Sequence, residues 1–251
     1  VTTYGLDATD ADITAADVQL GPFTVGAIVR RRARSDDPAK SSVTLGPLTL
    51  NVPGRHNLQN ALATVAVGLE LGLPFERIAA GLHDFRGVER RFEVRGELDG
   101  ILLVDDYGHH PTEIAAVLQA ARVLDRRIVV AFQPHRFTRT ASLMDAFGPA
   151  LAGADHIVLT DIYGAGEDPI HGVTLEALAA SVRRTTTAPV EVVPGLDDVA
   201  PAVARIARPG DVVITLGAGS IGTVPERLLD LLTRDGSAPD GRAPSARKDG
   251  A

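Results

Sequence analysis

Cysteine is absent from the 251 residues, which excludes disulfides, thiol catalysis and thiolate metal sites. Lysine is nearly absent. Lys40 and Lys248 are the only two, and neither lies in a G-x-x-x-x-G-K-[ST] setting, so this chain carries no P-loop to cradle a triphosphate. Positive charge is in deficit: the formal net charge of -7 argues against a nucleic-acid-binding module, which would show a basic face. The one basic run, Arg30, Arg31, Arg32 and Arg34, sits beside Asp36 and Asp37 and reads as a solvated strand edge or loop. No uninterrupted apolar run reaches membrane-spanning length and the N-terminus is not signal-like, so no membrane partner and a cytoplasmic address are expected. An initiator Met is also lacking, and a start at Val1 is what a fragment of a longer protein would show.

Hydrophobic residues make up 45% and charged residues 23%, so a well-packed soluble protein is expected, and its 251 residues suit one large or two ordinary domains. Residues 1 to about 53 read as β structure, with strands over Phe23–Val29 and Val43–Val52, the second broken by a Gly46-Pro47 turn. Leu58, Leu62, Val65, Ala66 and Leu69 recur at helical spacing over Asn57–Leu71, and a short helix follows at Phe75–Leu82. A boundary is expected near Gly87, giving domains 1–87 and 88–234. Beyond it, strands at 92–98, 101–105, 128–132, 156–160, 190–193 and 212–216 alternate with helices near 111–123, 139–151, 174–184, 196–206 and 223–233. That alternation predicts a largely parallel sheet with helices on both faces and ligands at the strands' C-terminal ends. Residues 235–251, rich in Gly, Ser, Ala, Pro and charge, are expected to be disordered.

Chemistry concentrates at the strand ends. In Asp105-Asp106-Tyr107-Gly108-His109-His110-Pro111-Thr112-Glu113 the first six positions hold two carboxylates, a phenol and two imidazoles, after an apolar strand and ahead of a helix whose Pro111 start leaves free amides. In a strand Asp105 and Asp106 point to opposite faces, so at most one meets a given pocket. Adjacent histidines without an i,i+4 partner have poor metal spacing, and no metal site is expected. Gln133-Pro134-His135-Arg136-Phe137-Thr138-Arg139-Thr140 brings Arg136 and Arg139 to the same rim, suited to gripping carboxylate or phosphate oxygens or simply to lining a surface loop. The loop from Asp161 to Pro169 is acidic and Gly-interrupted. Gly87-Val88-Glu89-Arg90-Arg91-Phe92 offers a phosphate clamp or a charged hinge. In Gly54-Arg55-His56-Asn57-Leu58-Gln59-Asn60, the amides of Asn57 and Asn60 share a helix face that could read an adenine edge; alternatively Asn57 is an N-cap. Gly217-Ala218-Gly219-Ser220-Ile221-Gly222 fits G-x-G-x-x-G, yet no strand remains downstream to supply a ribose-binding acid. A turn presenting amides to some anion is what it retains.

Together these motifs resemble the Mur ligase family, the ATP-dependent amide-forming enzymes of peptidoglycan precursor synthesis. The likeness covers about residues 1–233, with five motifs in order, and the 105–113 and 133–139 loops look like those of members that join L-alanine to UDP-N-acetylmuramate. The resemblance implies the end of a central α/β ATPase domain followed by a Rossmann-like, mostly parallel C-terminal domain. It implies that His56, Asn57 and Asn60 contact ATP, that Arg91 and Asp106 reach the nucleotide, and that Tyr107, His109, Arg136 and Arg139 hold the muramoyl end. His109, Arg136 and Arg139 carry the catalytic assignment. Mg2+ ligands and the P-loop would lie upstream of Val1, so the chain alone is expected to be inactive. Ser220 departs from the family's usual Gly-Ala-Gly-Asp. The alternatives are a family member attaching a preformed peptide and a non-catalytic binding module.

Overall fold

The computed structural model describes residues 1–8, 10–33 and 42–234. The expected disordered tail, both lysines, and Arg34, Asp36 and Asp37 lie outside the described residues. The chain divides into two compact units, Val1–Val88 and Glu89–Ala251.

In the first unit, β1 (Ile13–Leu20), β2 (Val25–Arg32) and β3 (Ser42–Leu50) form an antiparallel sheet in that order, followed by α1 (Arg55–Glu70) and α2 (Phe75–Asp84). Alternate residues Val25, Ala27 and Val29 of β2 meet Leu48 and Leu50 of β3 and the Leu58–Leu62–Val65 stripe of α1 in one apolar core. Gly46-Pro47 is not a turn. Both residues stay in β3, opposite Val29 and Ile28, and the register shifts at Arg30. β3 is an edge strand, where a proline without an amide is tolerated, and Gly46, at φ 147, admits the Phe75 ring. The Arg30–Arg32 run is the exposed end of the central strand rather than a sheet edge.

The second unit is a six-stranded sheet with β4 (Glu93–Leu98), β5 (Ile101–Asp106), β6 (Ile128–Phe132), β7 (His156–Leu159), β8 (Val190–Val192) and β9 (Val212–Leu216). Their spatial order is β4-β5-β9-β6-β7-β8; β4 pairs antiparallel with β5 and every other pairing is parallel. β5, β6 and β9 are buried at every position, as uninterrupted apolar runs in a covered parallel sheet should be. α3 (Pro111–Arg122), α4 (Phe137–Leu151), α5 (Leu175–Arg183), α6 (Leu196–Ile206) and α7 (Val224–Arg234) complete it, with a 3-10 turn at Ser220–Thr223. On one face, Val199 and Val203 of α6 and Leu228 of α7 pack with Leu103, Val129, Ala131, Val158 and Val213. From the other face Phe147 of α4 meets Phe132, ring centres 5.4 Å apart. The last strand, β9, inserts between β5 and β6. That insertion sets the loops after all three strands side by side, and Gly217 N→Asp106 O (3.2 Å) and Gln133 N→Leu216 O (2.9 Å) continue the ladder into them.

Candidate functional site

The pleat separates the two aspartates that end β5. The Asp105 carboxylate, 1% exposed, accepts Arg90 Nε (2.8 Å) and Thr215 Oγ1 (2.6 Å). Arg90 continues to the carbonyls of Gly217 (2.6 Å) and Gly219 (3.4 Å), and its own carbonyl receives Tyr107 N (2.7 Å). Arg90 thus acts as an internal tie: its Nε, Nη1 and Nη2 each donate, joining its own loop to the end of β5 and to the turn after β9. Asp106 faces the other way and accepts Phe92 N and Gly108 N, both at 2.7 Å. These bonds hold the turn that carries Tyr107 and His109. Asp106 is 3% exposed, so the reach to nucleotide expected of it would require this turn to open.

Burial pushes the Asp106 carboxyl up to about 6, against the opposing pull of the Phe92 and Gly108 amides. The fold thus holds this proton more tightly than the unfolded chain does. The stabilisation is complete below the ordinary carboxylate value of 3.8 and is lost as pH rises through about 6. Asp106→Asn should remove a term of roughly 2–3 kcal/mol from the pH dependence between about pH 4 and 7. Urea unfolding across that range tests it; identical slopes for variant and parent would refute it.

The amides expected to be free at the start of α3 are taken. His110 Nδ1 accepts Thr112 N (3.3 Å), and Glu113 accepts the amides of His109 (3.1 Å) and His110 (3.2 Å), a capping box. Burial works to raise the Glu113 carboxyl, but those amides outweigh it and hold it below its ordinary value. Arg91, half exposed, is 3.9 Å from Glu113 and 5.9 Å from the Tyr107 ring centre.

Above the strand ends runs an aromatic row. Tyr107 meets His109 edge-on at 5.4 Å, His109 lies 5.6 Å from His135, and His135 stacks on Tyr163 at 5.6 Å. Burial, reinforced by Arg139, lowers the basicity of both His109 and His135 and so favours their neutral rings. Their tautomers follow from their partners. Arg139 Nη1 can only donate, so His135 Nδ1 (3.0 Å) accepts and the ring proton sits on Nε2. The Tyr107 carbonyl can only accept, so His109 Nδ1 (3.1 Å) carries the proton and Nε2 keeps a lone pair. Arg136 and Arg139 do not act as a helical pair. Arg136 precedes α4 at φ 71 and leans to Glu167, whereas Arg139 turns to His135.

The glycine-rich turn after β9 is tied to the loop after β6 through the Gln133 side chain. Ile221 N donates to Gln133 Oε1 (3.0 Å), and Ser220 Oγ lies 3.4 Å from the same oxygen. A Cβ at Gly219 would fall 2.7 Å from the Tyr163 ring and one at Gly222 2.7 Å from the Arg90 guanidinium. These glycines serve close packing. His135, Tyr163, Gln133, Glu167 and the Arg90–Asp105 tie were not singled out from sequence. The available signal was position, since the first three lie just past the ends of parallel strands.

In the first unit, Gly54 precedes α1 without any side-chain cap, and Asn57 is not the cap: its Nδ2 donates back to Pro53 O (2.7 Å). His56 is half-buried, Asn60 is exposed, and Arg55 pairs with both oxygens of Asp7 (2.7 and 2.9 Å). Among the described residues there is no cluster of three or more His, Asp or Glu able to hold a metal ion. None of their helices is long and apolar enough to cross a membrane.

The profile described as "Mur ligase, glutamate ligase domain" matches residues 90–219. The UDP-N-acetylmuramate--L-alanine ligase of Geotalea uraniireducens (strain Rf4) is 48% identical over 234 residues, 93% of this chain and 49% of that protein. Its counterpart from Pelotomaculum thermopropionicum is 44% identical over 92% of this chain and 48% of its own length. Among solved structures, the UDP-N-acetylmuramate-alanine ligase MurC of Thermotoga maritima superposes with TM-score 0.73 at 27% identity, covering 94% of this chain and 48% of that one. A murein peptide ligase from Psychrobacter arcticus shares the fold at TM-score 0.61 and 22% identity, over 92% of this chain and 46% of that one. The chain spans about half the length of the curated relatives it matches.

Proposed function

The chain belongs to the Mur ligase family, and on that premise we propose that it forms the C-terminal half of an ATP-dependent ligase joining L-alanine to UDP-N-acetylmuramate in peptidoglycan precursor synthesis. The observation that carries this reading is the 48% identity to such a ligase over 93% of this chain. In the reaction, the muramoyl carboxylate attacks the γ-phosphate, leaving ADP and an acyl phosphate. The amine of L-alanine then attacks the acyl carbon and phosphate departs.

Such chemistry depends on positioning and on cations around developing negative charge more than on a protein nucleophile. Arg136 and Arg139 orient carboxylate, Tyr107 and His135 flank it, and His109 Nε2, unprotonated, accepts the proton lost by the attacking amine. His56, Asn57 and Asn60 contact the adenine and ribose of ATP, and Arg91 reaches the same nucleotide. Asp106 acts through the turn it holds at Phe92 and Gly108. With ATP comes Mg2+, for which the described residues offer no matching cluster, and no step here runs through it. Without a P-loop lysine the chain by itself should release no phosphate from ATP in the presence of both acceptor substrates; measurable release would contradict this.

The decisive experiment is Arg136→Ala in a polypeptide of the relatives' full length that contains this chain. The KM for UDP-N-acetylmuramate should rise about 10- to 100-fold, as expected for losing a hydrogen bond between charged groups, with the KM for ATP unchanged. Equal muramoyl KM values in variant and parent would overturn the reading.

A further inference from the structure

α4 starts without a local cap. Arg136 at its N-cap contributes no side-chain bond, and its first turn holds no acidic residue. The missing acceptor comes from the loop after β7. Glu167 Oε2 accepts Thr138 N (3.0 Å) and Oε1 accepts Thr138 Oγ1 (2.8 Å). The guanidinium of Arg136 lies 3.6 Å from Oε1 and is half exposed, which leaves donors for a ligand. The two loops are also joined through their backbones. Arg136 N donates to Tyr163 O (2.8 Å), Tyr163 N to Pro134 O (2.9 Å), and Glu167 N closes its own turn on Gly164 O (3.0 Å).

Arg136 needs such support. Its φ of 71 is a conformation that non-glycine residues rarely hold, and it persists where neighbours over-determine it. Thr140 fixes its carbonyl through N (3.0 Å) and Oγ1 (2.8 Å), and Tyr163 fixes its amide. Among the described residues, Glu167 alone engages both the Arg136 guanidinium and the amide of Thr138. We infer that Glu167 is the positioning residue for Arg136: it touches no substrate, but caps α4 from a second loop and aims the guanidinium at the substrate carboxylate. An anion at a helix N-terminus is favoured by the helix dipole, so one carboxylate serves as cap and as orienting ion pair together.

This rests on the proposed role of Arg136, and the test separates the two. In the full-length ligase, Glu167→Ala should raise the KM for UDP-N-acetylmuramate about tenfold and leave the KM for ATP unchanged. Glu167→Gln, which keeps an acceptor for Thr138 but loses the charge, should fall between. In an Arg136→Ala background, Glu167→Ala should add little, because the group it orients is gone. A lowered KM would make Glu167 a competitor for the substrate's place, and an undiminished effect in the Arg136→Ala background would make it a helix cap alone; either overturns the inference. Hydrogen exchange in this chain gives a readout independent of turnover. Glu167→Ala should speed exchange of the Arg136 and Thr138 amides about tenfold or more while the β6 amides stay protected. Unchanged Arg136 protection would refute the positioning role even if Arg136 proved to have another function. If Arg136→Ala leaves the muramoyl KM unaltered, the functional reading fails, and the exchange result still decides whether Glu167 holds Arg136.

Discussion

Replacing Arg90 with alanine is expected to destabilise the second unit by about 3–5 kcal/mol, the range for removing one partner of a buried ion pair. Asp105 is 1% exposed and would keep only the hydroxyl of Thr215. The carbonyls of Gly217 and Gly219 would lose donors at the same time. Arg90 itself is 23% exposed, so water admitted by the deletion offsets part of the cost and places the effect toward the lower end of the range. The loss should be specific to one unpaired charge. Arg90→Met combined with Asp105→Leu removes both charges and should recover most of the deficit, since paired apolar replacement of buried ion pairs is often neutral. Two of the chain's three tyrosines, Tyr107 and Tyr163, lie in this unit, so tyrosine fluorescence during urea unfolding follows it. A deficit under about 1 kcal/mol, in the range of exposed ion pairs, would show that the tie is not a buried pair in energetic terms.

Gly217→Ala should cost about 2–5 kcal/mol, combining backbone strain with overpacking. Gly217 has φ 144, and a Cβ there would lie 2.6 Å from the carbonyl oxygen of Gln133 and 3.0 Å from Ile221 Cγ2. The carbonyl belongs to the main chain just past β6 and cannot rotate away as a side chain would. Relief must come from parting the ends of β9 and β6, which weakens Gly217 N→Asp106 O and the bond from Arg90 to the Gly217 carbonyl. Gly210→Ala separates the two causes. Its φ is 94 and nothing lies within 4 Å of its Cβ position, so strain acts alone. Urea midpoints of the two variants give the comparison, and equal losses would mean that the contact with Gln133 is unimportant.

Much of the second unit was legible because its elements declare themselves locally. The runs Ile128–Phe132 and Val212–Leu216 and the helix Leu196–Ile206 have the expected bounds, since continuous burial and a 3.6-residue period are properties of a short stretch of chain. α4 begins at Phe137, two residues earlier than its sequence suggests, because its cap arrives from Glu167 on another loop. The Gly46-Pro47 pair reads locally as a turn, but the Phe75 ring and an unpaired strand edge let it remain in β3. Within the candidate site, the alternation of Asp105 and Asp106 between faces was readable from the pleat. Their partners were not: Arg90, Thr215 and Phe92 come from 15, 110 and 14 residues away.

The sequence by itself determined the types and order of the elements and the family resemblance of the loops, because both reside in short runs of residues. It also excluded thiol chemistry and a P-loop within these residues. Tertiary structure alone decided what each polar group does. Insertion of β9 between β5 and β6 brings the 107–110, 133–136 and 217–219 loops together and turns Arg90 from a candidate phosphate ligand into an internal tie. It likewise stacks His135 on Tyr163 and gives His109 and His135 opposite tautomers. The physical reason is that burial and hydrogen-bond satisfaction depend on which groups meet in space, and a strand order is not written in any local period.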